Sequence, residues 1–326
     1  MSLLDGPPMG GTRSVDEHLE HVLAAVDLLP TGIRPLADAL DLPLADDVRA
    51  PHRLPPFPSS QMDGYAVRAA DLTAATLERP VALEVVEVIA TGSTGRATVG
   101  PGTCARIMTG APVPAGADVV VPLEDTDDGR AVVQVRAALP AGRFVRPAGE
   151  DVEAGAVVLE AGTRLGPRQI GLLAGLGIDQ VRTPDRPRVA VVAAGDELVE
   201  PGRPLGDASI HDGNSHMLAA ALRAVGATVR RPPIQSDRPE PMRATLAELA
   251  DDADLVVTIG GISKGDHDVV KAAMADEVTF VQVAMQPGKP QGVGHVGTRR
   301  VPLIAVPGNP VSAYVSFEVF VLPALR

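Results

Sequence analysis

Apolar residues recur along this chain with three successive rhythms. Near the start, Ser14-Val15-Asp16-Glu17 reads as a capping box. The helix it opens carries Val15, Leu19, Val22, Leu23 and Val26 on one face and stops before Pro30. His18 and His21 lie one turn apart on it and read as solvated surface histidines. A second apolar-periodic stretch covers 35–48. From Pro51 the texture changes. Residues 53–61 form a Pro/Ser loop, and short β-like runs follow at 81–90, 105–108, 119–123 and 131–135. Turn signals such as Thr91-Gly92-Ser93 and Asp128-Gly129 separate them, which predicts a compact β-rich domain inserted into the chain. A strand at 156–159 and a helix at 167–176 return to the first domain.

After Thr183-Pro184-Asp185 strands alternate with helices. Strands are expected at 188–194, 228–231, 255–259, 278–285 and 301–306, and helices at 215–225, 239–249 and 268–275. Asn309 caps a last helix with Pro310 at its first position. This alternation predicts a mostly parallel sheet covered on both faces. Ligands of such sheets bind beyond the carboxyl ends of the strands. Four loops fall there: Ala194-Gly195-Asp196-Glu197, Gln235-Ser236-Asp237, 260–268 and Pro307-Gly308-Asn309-Pro310.

Charge and composition narrow the chemistry. The 326 residues carry a formal charge of -12, which disfavours nucleic acid and anionic membrane surfaces as partners. No apolar run reaches membrane-spanning length and no secretory signal is visible, so a cytoplasmic location is expected. Aromatic content is 2%, so Val, Leu and Ala must fill the cores. Cys104 is the single cysteine and sits among small apolar neighbours, as a buried structural thiol does. Lysine occurs three times, at Lys264, Lys271 and Lys289, while the other 26 of the 29 Lys+Arg residues are arginine. Lysine is a compact, strongly hydrated point charge. A glycine-rich turn beside an ammonium can hold an anion. The alternative is that these are ordinary solvated cations.

The strand-end loops would offer the backbone amides of Gly260, Gly261 and Gly308, the hydroxyls of Ser263 and Ser312, and Lys289 to a phosphate. They also bring Glu197, Asp237, Asp266 and Asp268 to the same edge. Carboxylates beside a phosphate make sense if Mg²⁺ bridges them, because Mg²⁺ takes one or two carboxylates plus phosphate oxygens and water. For Asp266 and Asp268 the other reading is favourable charge at a helix start. No Walker P-loop or GxGxxG pattern is present. By themselves the residues point to a phosphorylated small ligand with Mg²⁺.

Seven segments carry a resemblance. They are 56–66 (Pro56 to Met62-Asp63-Gly64-Tyr65-Ala66), 106–111 (with Met108-Thr109-Gly110), Gly149-Glu150-Asp151, Gly195-Asp196-Glu197-Leu198, Gly260-Gly261-Ile262-Ser263, Pro287-Gly288-Lys289-Pro290 and Pro307-Gly308-Asn309-Pro310-Val311-Ser312. In this order, and over nearly the whole chain, they resemble the MoeA family of molybdopterin molybdenumtransferases, related to the catalytic part of gephyrin. The resemblance implies a multi-domain α/β plus β fold. It would have a MogA-like three-layer α/β/α molybdopterin-binding domain at 183–326, an inserted β-rich domain at 51–144, and an elongated α+β linker and dimerisation domain from 13–50 and 145–182. It implies a homodimer that inserts molybdate into adenylylated molybdopterin and releases AMP, assisted by Mg²⁺.

By matching motif, Asp63 and Thr109 would act across the dimer, and Asp151 would be functional. Glu197, Asp237 and Asp268 would sit around metal and substrate. Gly260, Gly261, Ser263, Lys271, Lys289, Pro307, Gly308, Asn309 and Ser312 would hold pterin phosphate or molybdate. Transient contact with a molybdopterin adenylyltransferase and with molybdoenzyme acceptors is implied as well. Relatives often carry lysine where Gln282 or Gln286 stands. They usually continue beyond the position of Arg326 into a small C-terminal β-domain, which is expected to be absent here. Two other readings stay open: a non-catalytic molybdopterin-binding scaffold and a molybdopterin adenylyltransferase.

Overall fold

The computed structural model describes residues 12–93, 95–262 and 268–326. Two compact units emerge, one from Met1–Ala45 with Val181–Arg326 and one from Asp46–Gln180.

The first unit is an α/β sandwich. Its main sheet has seven strands: β1 (Thr12–Arg13), β2 (Arg188–Ala193), β3 (Thr228–Arg230), β4 (Leu255–Ile259), β5 (Val278–Val283), β6 (Pro290–Val296) and β7 (Val301–Val306), in the spatial order β1-β5-β6-β7-β4-β2-β3. Its helices include α1 (Val15–Ala25), α2 (Asn214–Ala224), α3 (Pro239–Asp252), α4 (Val269–Met274) and α5 (Pro310–Ser316). The near-continuous apolar runs of β2 and β4 are those of strands buried on both faces. Alternate residues of each strand enter different cores. Val189, Val191, Val257 and Val306 pack with α1, α2 and α5, whereas Ala190, Val192, Val256 and Ala305 pack with α3 and α4. The three-layer α/β/α expectation holds.

Two features of this unit differ from the sequence expectation. The sheet is mostly parallel, as expected, but it includes a strand the sequence did not show, β6, which runs antiparallel to both β5 and β7. Its Pro-Gln-Gly-Val-Gly composition hides it. A Cβ on Gly292 would lie 2.8 Å from the Phe280 ring, and one on Gly294 would collide with the Glu277 carbonyl. Glycine is therefore needed for close strand approach. The first helix also differs. The residues it buries are His18, Val22 and Ala25, while Leu23 is 43% exposed. Together with β1, which pairs with β5, this helix belongs to the large sheet. Residues 12–45 cluster with 181–326, and within them the strand Thr31–Pro35 pairs with Gln180–Pro184.

The second unit is built on a five-stranded sheet in the order Val119–Pro122, Gly64–Val67, Thr103–Ile107, Val81–Ile89, Val132–Val135. Its two faces carry separate cores, one centred on Tyr65, Leu72 and Leu83, the other on Ile89, Ile107 and Val120. Cys104 is fully buried in the first, and burial pushes its thiol up to about 12, so it is a structural thiol. No helix among the described residues is long and apolar enough to cross a membrane.

Candidate functional site

The carboxyl ends of β2, β4 and β7 open into a cleft of about 730 Å³. The chain builds it from tight turns. Gly195, at φ +150°, lies under the Glu197 carboxylate, which a Cβ would strike. Gly308 lies against Gly260, where an added Cβ would come within 3.3 Å of the Gly260 Cα. Gly260 itself sits at φ +86°, a left-handed conformation that glycine adopts without penalty. The loops after β2, β4 and β7 can therefore converge only because they carry glycine.

Side chains lock the same loops. Asp196 and Asp237 clasp reciprocally: each backbone N–H donates to the other's carboxylate at 3.2 Å. Asn309 caps α5, accepting from the N–H groups of Val311 (3.1 Å) and Ser312 (3.2 Å). Asn214, at the start of α2, donates from Nδ2 to the Gly308 carbonyl at 2.6 Å. Behind it Asp212, 2% exposed, accepts from the Ser215 N–H and hydroxyl. Arg231 reaches the same Ser215 hydroxyl (2.9 Å) and bonds Glu200 (2.9 Å).

Of the residues singled out in the sequence, Glu197, Asp237, Asp268, Gly260, Gly261, Pro307, Gly308, Asn309 and Ser312 line this one cleft. Ser263, Lys264 and Asp266 lie outside the described residues. Lys271 and Lys289 are not among the cleft-lining residues described. Lys271 contributes its backbone N–H to the Gly261 carbonyl (3.1 Å), and Lys289 is exposed beside Pro290, which does line the cleft. Sequence reasoning missed Asp196, Asp212 and Asn214. The signal for Asp212 was its spacing three residues before Ser215, that of a carboxylate accepting from a first-turn amide.

Asp63, Thr109 and Asp151 belong to the other unit. The Asp63 carboxylate accepts from the Thr109 N–H and hydroxyl, both at 2.7 Å. These bonds, the backbone one foremost, hold the exposed Asp63 carboxyl below the usual carboxylate range. Asp151 pairs with Arg146 at 2.6 Å, and Arg146 also holds Glu150 at 2.9 Å.

No three His, Cys, Asp or Glu side chains among the described residues stand close enough to cage a metal ion. The donor chemistry of the cleft suits a different arrangement. Glu197, Asp237 and Asp268 are hard oxygen donors on separate loops, as suits Mg²⁺, which takes one or two carboxylates and completes its shell with substrate oxygens and water.

Comparison with known proteins fits this geometry. Residues 13–177 match the family described as MoeA N-terminal region (domain I and II), and residues 190–326 match the probable molybdopterin binding domain. The chain belongs to the MoeA family. It is 46% identical over 323 residues to molybdopterin molybdenumtransferase 2 of Mycobacterium tuberculosis, covering 96% of this chain and 79% of that protein. It is 36% identical over 298 residues to the molybdopterin molybdenumtransferase of Bacillus subtilis strain 168, covering 89% and 69%. The crystal structure of the molybdopterin biosynthesis MoeA protein from Pyrococcus horikosii superposes with a TM-score of 0.83 at 30% identity, over 97% of this chain and 79% of that one. As a MoeA-family enzyme, the chain has its role in molybdenum cofactor biosynthesis. The cleft falls wholly within the segment that matches the molybdopterin-binding domain.

Proposed function

We propose that this MoeA-family protein inserts molybdate into adenylylated molybdopterin and releases AMP, acting as a cytoplasmic homodimer. One observation carries the reading: glycine-built loop ends and three carboxylates share a single cleft in a chain of net charge -12. A polyanionic substrate needs local amides and cations to overcome that field. Gly260, Gly261, Pro307, Gly308, Asn309 and Ser312 seat the pterin phosphate. Lys289 draws molybdate to the rim, with Lys271 adding charge nearby.

One or two of Glu197, Asp237 and Asp268 would hold Mg²⁺, which when bound would polarise the phosphoanhydride bond that breaks. Asp63 and Thr109 of the partner subunit complete the site, with Asp151 in support. Residues 51–144 serve as the insertion and 183–326 as the substrate domain. The linker and dimerisation domain is drawn from 13–50 and 145–182, with Thr31–Pro35 pairing with Gln180–Pro184 and Val48–Arg49 with Val157–Leu159 in support. Adenylyltransferase and molybdoenzyme contacts follow from the same pathway role.

The test incubates purified protein with adenylylated molybdopterin, molybdate and Mg²⁺. Molybdate-dependent AMP release supports insertion. Consumption of ATP with plain molybdopterin indicates adenylylation instead, and tight binding without turnover indicates a scaffold. Within the same assay Lys289→Gln should raise the molybdate KM about threefold, the scale of one exposed charge contact. It should also flatten the dependence on salt. An unchanged KM would make Lys289 an ordinary surface cation.

A further inference from the structure

Gln291 is one of the few polar side chains that the sheet buries. It lies on β6, 1% exposed, and Val293 on the same strand face belongs to the core under α1 and α5. Across the ladder it pairs with Val281. Its Nε2 donates to the Gly288 carbonyl at 2.7 Å and to the Ser316 hydroxyl at 2.6 Å. The amide orientation follows from the Gly288 carbonyl, which can only accept. Its Oε1 is buried with no hydrogen-bond partner. An unmet buried acceptor weakens the fold, a cost that methionine or leucine would avoid. Glutamine is therefore a poor choice for stability at this position.

What it holds is the turn that bears Lys289. That turn is anchored on one side by the Val283 N–H, which donates to the Lys289 carbonyl at 2.7 Å, and on the other by Gln291. Gly288, at φ +101°, presses on the same serine, since a Cβ there would lie 3.3 Å from the Ser316 hydroxyl and 2.9 Å from Met285 Cε. Ser316 is fully buried on α5, one helical turn from Ser312 at the cleft. Gln291 thus ties the lysine turn to the helix that forms part of the cleft wall.

We propose that Gln291 is a positioning residue: it fixes the turn that presents Lys289 beside the cleft, so oxyanion affinity depends on a side chain that never meets the anion. The proposal rests on the reading of Lys289 as the residue that draws molybdate.

The test exploits the lysine count. Reductive ¹³C-dimethylation of the full chain keeps the ammonium charge and tags three lysines and the N-terminus. Lys289→Gln assigns the Lys289 resonance, and molybdate is then titrated. The wild-type Lys289 signal should shift and saturate. In Gln291→Met the melting temperature should stay equal or rise, yet the molybdate midpoint at Lys289 should rise about two- to threefold, within the loss expected when the Lys289 charge is removed outright. In the AMP-release assay the molybdate KM should rise and kcat should not follow it. An unaltered midpoint in the variant overturns the proposal.

If the wild-type Lys289 signal ignores molybdate, the reading of Lys289 falls, and the anion-free spectrum decides for Gln291. A Lys289 resonance moved by Gln291→Met supports the hold on the turn, and an unmoved one overturns it. Gln291→Leu, which removes the donor without adding a charge, provides a second variant and should weaken the molybdate response in the same way.

Discussion

Asp237→Asn and Asp63→Asn should each reduce AMP release by about 100-fold or more, the scale of losing one charge that stabilises a transition state, while leaving the fold intact. Asparagine keeps a carbonyl oxygen at each position. At 237 it can still accept the Asp196 N–H, and at 63 it can still accept from Thr109. The substitutions therefore remove charge without untying the loops. For Asp237 the lost charge is one that would hold Mg²⁺, so the Mg²⁺ concentration giving half-maximal rate should rise in that variant. Near-normal turnover in Asp237→Asn would remove its carboxylate from the chemistry and leave it the loop-clasping role it has with Asp196.

Mixing the two inactive variants tests where Asp63 acts. In a two-fold dimer whose sites combine Asp237 of one chain with Asp63 of the other, each mixed dimer has one site with both native residues. Random exchange makes half the dimers mixed, so the mixture should recover about a quarter of wild-type turnover. If each site were formed by residues of a single chain, every site in the mixture would lack one of the two and no activity would return. Thr109→Val should lose less than Asp63→Asn, because the backbone N–H of residue 109 still donates to Asp63.

The parts legible in the sequence were those with one dominant local signal. The apolar runs at 188–193 and 255–259 could be little other than buried strands, and the glycines of 195, 260 and 308 marked where those strands had to turn. Because strand ends of an α/β sheet share an edge, the meeting of Glu197, Asp237 and Asp268 followed from connectivity alone. Strand β6 was hidden because its glycines serve cross-strand packing and erase the alternation that identifies a strand. Asp212 and Asn214 were hidden because the loop before α2 has no apolar rhythm to place it against β7. The first helix starts where the capping box places it but ends at Ala25, short of Pro30, and of its expected face Val15, Leu19 and Val22 pack on the core while Leu23 does not. Residues 15, 19, 22 and 26 form an apolar stripe, yet the buried stripe includes positions 18 and 25. A histidine on an acidic helix looks solvated until Phe320, far along the chain, is known to cover it.

That histidine should make the stability of the α/β unit depend on pH. His18 is fully buried, edge-on to Phe320 at 4.7 Å between ring centroids, and neither ring nitrogen has a hydrogen-bond partner. Burial, with the positive charge of Arg13 and the neighbouring His21 adding to it, drives its pKa down to about 3 from 6.5. Arg13 is itself 6% exposed, with both terminal nitrogens unpartnered, and the attraction of Glu17 does not offset its burial, so a second buried charge at His18 would be repelled by it. The folded state keeps His18 neutral, while the unfolded state takes up a proton below 6.5. Protons therefore favour unfolding across the window from 6.5 down to about 3, and stability is full above it. Between pH 7.5 and pH 5 this one group should cost about 2 kcal/mol. Replacing it with leucine removes both the titration and an unpaired buried N–H. His18→Leu should therefore equal or exceed wild-type stability at pH 7.5 and exceed it by more at pH 5. Denaturant melts at the two pH values decide the matter: parallel losses in the two proteins would show that His18 already finds a counter-charge or water in the folded state.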